Sequence, residues 1–265
     1  MEIDKIDELK SFLNVLPPVG FCCVYGSSLH PNNSDKSSMV DFIIGVSDPK
    51  QWHSEMLKYG VVRMHDLVQD VLHWERFYLS GRLQKPVHIL VDNLDIGDVN
   101  SVNLRAAVSA ALLLLPSKFT EEDLYSKICS LSYMGDLRML FAEDKNKVKR
   151  IVEGTVWFIP IDANISQDCS LSMTHSLVHS LPPLVRRKMG MKQGEMQVLK
   201  DSGRVLHEVM IGSREEAAKS MQKIIRRTVM ASSARQAVSG FLTAGGVNAT
   251  RYLANKVRKA WKSRT

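Results

Sequence analysis

The sequence predicts an α+β chain, and three observations predict it. Three short apolar runs, Phe21–Tyr25, Val40–Val46 and Pro86–Asp92, are bounded by Gly, Pro or polar punctuation and read as strands. Between them, apolar residues recur at helical spacing, as at Leu67, Val71, Trp74 and Tyr78 within His65–Leu79. Beyond residue 97 the pattern is mostly helical. Such an order predicts an α+β N-terminal region followed by a helical one.

The elements follow in turn. Residues 4–14 read as a short helix, stopped by Pro17-Pro18. The first strand breaks at Gly26-Ser27-Ser28, and a polar loop leads to the second strand, which holds one carboxylate, Asp41. Asp48-Pro49 turns the chain into a segment whose Trp52 and His53 pack the strand-to-helix crossing. Asn103–Leu115 is an Ala/Leu-rich helix ended by Pro116. Its apolar run, Ala106–Leu115, falls short of the roughly 18 residues of a membrane span. Thr120-Glu121-Glu122-Asp123 opens the next helix like a capping box, with Leu124, Ile128 and Leu131 on one face. Residues 154–182 are polar and without period, and read as an irregular linker. Ser213-Arg214-Glu215-Glu216 starts a last helix through Met230. The expected units are 1–97, 98–153, the linker 154–182, a helical region 183–248 and a basic tail 249–265.

Composition is that of an ordinary globular chain, with 45% hydrophobic and 24% charged residues. Cys22, Cys23, Cys129 and Cys169 have neither disulfide nor zinc spacing and read as reduced thiols. Adjacent Cys22 and Cys23 point to opposite faces of a strand. The opening MEIDKIDELK carries four acids, unlike a signal or transit peptide. The net charge of +7 is uneven: residues 201–265 hold 13 Lys and Arg against 4 Asp and Glu. On a helix, Ala249, Leu253, Val257, Ala260 and Trp261 fall on one side. Arg251, Arg258 and Lys262 lie opposite, with Lys256 and Lys259 flanking. A basic amphipathic helix with one Trp suits an anionic membrane surface. The bland alternative is a helix packed on its own domain.

The Gly-Ser turn and Asp41 carry the chemistry. Glycine lets backbone approach a ligand, and successive N–H groups with Ser hydroxyls cradle phosphate. A carboxylate on the neighbouring strand holds Mg²⁺ against that phosphate. This is the minimal pattern of the nucleotidyltransferase (polymerase-β-like) superfamily; the alternative is a plain turn and a solvated Asp. Asp41 interrupts the otherwise apolar MVDFIIGV, where a carboxylate is costly unless used. Gly26-Ser27-Ser28 is not a hydrolase elbow, because the second glycine is missing. His175 and His179 share a helix face but have no third zinc ligand at convincing spacing.

Longer strings narrow the reading. VYGSSLHPN, DFIIGVSDPKQWHS, KYGVV, YLSGRLQKPV, ALLLLPSKFTEEDLY, LSYMGDLRM and EDKNKV stand in this order, with SSARQAVSGFLTAGG near the C-terminus. Together they resemble the mitochondrial translocator assembly and maintenance family, the mitochondrial phosphatidate cytidylyltransferases, and the wording is nearest to plant members. The resemblance implies CTP and phosphatidic acid as substrates, CDP-diacylglycerol and pyrophosphate as products, and Mg²⁺ as cofactor. It implies peripheral attachment to the matrix face of the mitochondrial inner membrane, feeding cardiolipin synthesis. It also implies a nucleotidyltransferase-like domain followed by a mainly helical, winged-helix-like domain. Two places are shorter than the family pattern. Trp52-His53-Ser54 reaches Lys58-Tyr59-Gly60 almost directly, and a second compression follows Ile151. The alternative they leave open is a shortened chain that binds anionic membrane without turnover. Nucleic acid is disfavoured as partner, because aromatic–basic interleaving is sparse.

Such chemistry needs metal ligands and phosphate clamps rather than a strong base, because the acceptor phosphate is already anionic. Asp41 is the expected catalytic metal ligand. Met39 occupies the usual Asp-x-Asp position before it, so a partner carboxylate has to come from elsewhere. Asp92, ending the third strand, is the candidate; the alternative is an Asp capping the next turn. Gly26, Ser27 and Ser28 are expected to hold the triphosphate. Lys58, Arg82 and Lys85, inside the matching strings, are candidates for phosphate contacts or else solvated cations. Asp136 and Arg138 are read as an ion pair near the cleft.

Overall fold

β1 (Phe21–Tyr25) is the axis of the N-terminal layer. The computed structural model describes residues 2–26, 29, 40–55, 61–137, 139, 147–153, 165–193, 195–199 and 205–244. In it, β1 lies between β2 (Asp41–Val46) and β4 (His88–Asp92), antiparallel to both. β3 (Val62–Arg63) pairs with β2 in parallel, giving the order β3-β2-β1-β4. The chain is α+β, as expected.

Strand alternation divides the sheet's side chains between two layers. Phe21, Cys23 and Ile43 pack with Leu67 and Val71 of α3 (Met64–His73) and Leu79 and Leu83 of α4 (Leu79–Leu83). Ile96, opening α5 (Ile96–Leu114), joins that layer. Cys22, Ile44 and Val46 pack on the other side with Trp52 of α2 (Pro49–Glu55), and Leu13 of α1 (Glu2–Leu13) lies against them. Cys22 and Cys23 thus occupy opposite faces, and Trp52 packs the crossing.

The second half of α5 belongs to a different core. Ala106, Ala107, Ala110 and Ala111 are all buried and let neighbouring helices approach closely. α6 (Glu121–Leu131), α8 (Leu171–His179), α9 (Pro183–Gln193) and α10 (Arg214–Ala244) contribute to that core. α7 (Lys147–Glu153) packs Ile151 and Val152 on Cys129 of α6. Because α5 is common to both cores, the boundary expected after residue 97 falls inside its first turn.

Four expectations need correction. The helix expected over 65–79 ends at His73, because Trp74 takes a left-handed conformation, φ 54°. α5 starts seven residues earlier than Asn103. The expected linker contains β6 (Ile165–Ser166), paired with β5 (Lys118–Phe119), and then α8. Ser170 caps α8 by accepting the Met173 amide, and buried Thr174, Leu177 and Val178 form a face that serine-rich composition hid. The C-terminal region includes a hairpin, β7 (Glu195–Leu199) with β8 (Val205–Val209). Thr120 and Asp123 form the expected capping box. Residues 249–265 lie outside the described residues, and no helix among the described residues is long and apolar enough to cross a membrane.

A polar knot joins the two cores. Asp70 of α3 is 3% exposed, and its carboxylate accepts five amides. Oδ1 takes those of Arg76 and Phe77 at 2.7 and 2.8 Å. Oδ2 takes those of Tyr78, Leu79 and Ser80 at 3.1, 2.8 and 3.3 Å. This binds the turn that delivers α4, including Phe77 at φ 57°, a strained position for an aromatic residue. Asn103, fully buried, accepts from Trp74 Nε1 and Gln84 Nε2, both at 2.8 Å, and donates to the Ser80 carbonyl at 3.0 Å. Removing the Asp70 carboxylate strands several buried donors at once. Asp70→Ala is expected to lower unfolding free energy by about 3–5 kcal/mol in urea titration, and a loss below about 1 kcal/mol contradicts the assignment.

Candidate active site

Strand direction decides which residues meet. Since β1 runs against both neighbours, its last residue meets the first residues of β2 and β4. Tyr25 is paired with Asp41, and Val24 with His88. Gly26 follows at φ 140°, a conformation open to glycine and strained for any residue with a Cβ. The side chains of Tyr25 and Asp41 share the face that carries α4, because Cys23 and Ile43 on the same alternation pack there. Asp41 is exposed.

Arg82 of α4 lies over the Tyr25 ring, 4.0 Å from guanidinium carbon to centroid. Its Nε is buried without a hydrogen-bond partner among the described residues, and Nη2 donates to the Pro86 carbonyl at a long 3.4 Å. Among the described residues no ion pair joins Arg82 to Asp41. Burial pushes the Tyr25 phenol above its ordinary range; Tyr78 and the Asp41 charge push the same way, and Arg82 opposes. Tyr25 therefore stays a neutral phenol.

Lys85 continues this wall. It is 8% exposed, donates to the Ser132 hydroxyl, and lies 4.0 Å from the Tyr133 ring centroid. Lys147 stands 5.3 Å from the same ring. The two walls touch at Gly81, where a Cβ would lie 2.5 Å from Ser132 Cβ. Two of the strings noted in the sequence, YLSGRLQKPV and LSYMGDLRM, thus meet across one contact.

The expected residues divide accordingly. Gly26, Asp41, Arg82 and Lys85 come to the same end of the sheet. Asp92 does not: it pairs with Phe21 at the opposite end. Its oxygens accept the Ile96 and Gly97 amides at 2.7 and 2.9 Å, so it caps the start of α5. Asp92 is therefore not brought to Asp41 as a second ligand. Ser27, Ser28, Lys58 and Arg138 lie outside the described residues, while Asp136 is buried. Among the described residues no group of three or more His, Cys, Asp or Glu is placed to hold a metal. His179 contacts Arg186 through Nδ1 at 3.1 Å. Tyr25, Tyr78, Ser132, Tyr133 and Lys147 were missed, because an aromatic at a strand end reads as core and a helix lysine as solvated.

All four cysteines are free. Burial raises Cys22 and Cys23 to about 12 and also pushes Cys129 up, so all three stay protonated and unreactive well above neutrality. At about pH 8 an alkylating reagent is expected to modify exposed Cys169 alone, as read by mass spectrometry. Labelling of Cys22 or Cys23 at a comparable rate contradicts the packing.

A family model described as "Phosphatidate cytidylyltransferase, mitochondrial" matches residues 9–57, 54–160 and 159–259. The matched segments break near 54–57 and 159–160, where the sequence looked compressed. A Xenopus laevis protein of that name is 28% identical, over 97% of this chain and 95% of its own. Caenorhabditis elegans and Danio rerio proteins of the same name are each 29% identical, over 98% and 85% of this chain and 100% and 84% of their own. The Xenopus alignment runs over 324 positions against 265 residues here, so the relative carries internal residues that this chain lacks.

Proposed function

The chain belongs to the mitochondrial phosphatidate cytidylyltransferases, which makes it a nucleotidyltransferase of CDP-diacylglycerol synthesis, and we propose that the cleft at the Tyr25 end of the sheet is its active site. One observation carries the assignment. Asp41 and Arg82 reach the same end and face of the sheet without neutralising each other. A carboxylate and a cation at one end of the sheet, with no ion pair between them among the described residues, suit a triphosphate and its metal.

The reaction joins the phosphate of phosphatidic acid to the α-phosphorus of CTP. An acceptor oxygen forms the new bond, the α–β bridge breaks, and pyrophosphate leaves with the electron pair. The acceptor is anionic at neutral pH, so alignment and charge neutralisation dominate. Asp41 fits Mg²⁺: it is an exposed hard oxygen donor, and Mg²⁺ is commonly held by one or two carboxylates together with substrate phosphates. When bound there, Mg²⁺ neutralises phosphate charge. Arg82 presents planar donors to phosphate oxygens, Lys85 adds a second cation on the α4 side, and the Gly26 turn gives the triphosphate backbone access. Ser27, Ser28 and Lys58 are carried in this reading by their strings alone.

The glycine after β1 and the acid opening β2 support a nucleotidyltransferase-like reading of the N-terminal layer. α9 followed by the β7–β8 hairpin supports a winged-helix-like reading of the C-terminal one. The shortening after α2 leaves β3 paired with β2, so the sheet remains joined across it. Relatives matched over nearly the whole chain carry the transferase name, which disfavours a membrane-binding chain without turnover. The mitochondrial names of the relatives support a mitochondrial enzyme. In this reading it works peripherally at the matrix face of the inner membrane, with residues 249–265 as the tether.

Asp41→Ala is expected to lower CDP-diacylglycerol formation about 100-fold or more at unchanged melting temperature, assayed with radiolabelled CTP. Retention of more than about half the activity contradicts the assignment. Deleting 249–265 is expected to abolish sedimentation with phosphatidate-containing vesicles; full sedimentation of the truncated protein removes the tether.

A further inference from the structure

We propose that Tyr25 is a positioning residue that holds the Arg82 guanidinium for the CTP triphosphate and keeps it from closing onto Asp41. The inference rests on the cleft reading above and deepens it. Tyr25 stands between the two charges. Its backbone is the register partner of Asp41, and its ring carries Arg82 at 4.0 Å.

Two features make the ring a platform rather than a bystander. It packs against the sheet core, which limits its freedom to move with Arg82. Among the described residues Arg82 has few other holds: Nε is buried without a partner, and the Pro86 carbonyl is distant at 3.4 Å. The aromatic face is therefore a principal contact fixing the guanidinium plane. A guanidinium lying over a ring face is held without spending all of its N–H groups, and those left can meet phosphate oxygens. Without the ring, the cation would be free to move toward the exposed Asp41 carboxylate on the same face of the sheet. An Arg82–Asp41 pair would consume the phosphate clamp and the metal ligand together. The device recurs along the same wall, where Lys85 lies over the Tyr133 ring.

The test keeps the side chain's shape and weakens only its quadrupole. In the full-length chain, Tyr25→Phe serves as the reference, and phenylalanines of increasing fluorination replace it at position 25. Steady-state KM for CTP and calorimetric binding of Mg²⁺–CTP are measured, with melting temperature as the control for folding. The KM is expected to climb steadily with fluorination, about tenfold over the series, at constant melting temperature. On an Arg82→Ala background the slope is expected to vanish, with KM high throughout. A flat series while Arg82→Ala still raises KM overturns the role of Tyr25 and leaves the cleft assignment standing. No effect of Arg82→Ala on KM overturns both.

Discussion

The Asp70 carboxylate and its five amides are the constraint on which the rest of the structure depends. A helix ending at His73 would ordinarily release its chain toward solvent. Here Asp70, one turn back, gathers the amides of residues 76–80 and folds the next segment against its own helix. That segment is α4, and α4 carries Arg82 and leads to Lys85. Asn103 completes the grip from α5 by holding Trp74, the Ser80 carbonyl and Gln84. Stranding these amides and the Asn103 side chain in the interior is expensive, which favours this arrangement over others. The cations of the cleft are therefore placed by a polar network lying behind them.

The second constraint is topological. An antiparallel central strand brings its end to the beginnings of its neighbours. The glycine turn, Asp41 and the approach to β4 gather at one edge for that reason, while Asp92 is carried to the other. Charge is then managed by aromatic rings. Arg82 rests on Tyr25 and Lys85 on Tyr133, and among the described residues no ion pair joins Arg82 to the Asp41 carboxylate on the same face. Such a surface favours polyanionic substrates, and a metal held at Asp41 would complete the compensation when they bind.

Much of the fold was legible because its signals are local. The strands at 21–25 and 41–46 are bounded apolar runs, and the capping box at Thr120 is a four-residue pattern. What stayed hidden depends on distance. Asp70 sits on an amphipathic helix and reads as one more solvated acid, since its partners lie six to ten residues later in a turn that no periodicity marks. Asp92 misled because a sequence does not state which way a strand runs. α8 was lost in a serine-rich stretch, its face completed by a buried threonine rather than an aliphatic residue. In the proposed site, Asp41 and Arg82 were picked out by pattern and resemblance. The contact of Arg82 with Tyr25 was not, because it appears only when the ring is seen beneath the guanidinium.

The central claim is that metal and nucleotide meet at the Tyr25 end of the sheet. Paramagnetic relaxation tests it directly: Mn²⁺ is added with CTP to isotopically labelled protein, and amide signals are followed. Broadening is expected to centre on Tyr25, Gly26, Asp41 and Arg82, with the Asp92 and Ile96 amides at the far end spared. Broadening centred on Asp92 and the start of α5, with the Tyr25 end unaffected, would contradict it.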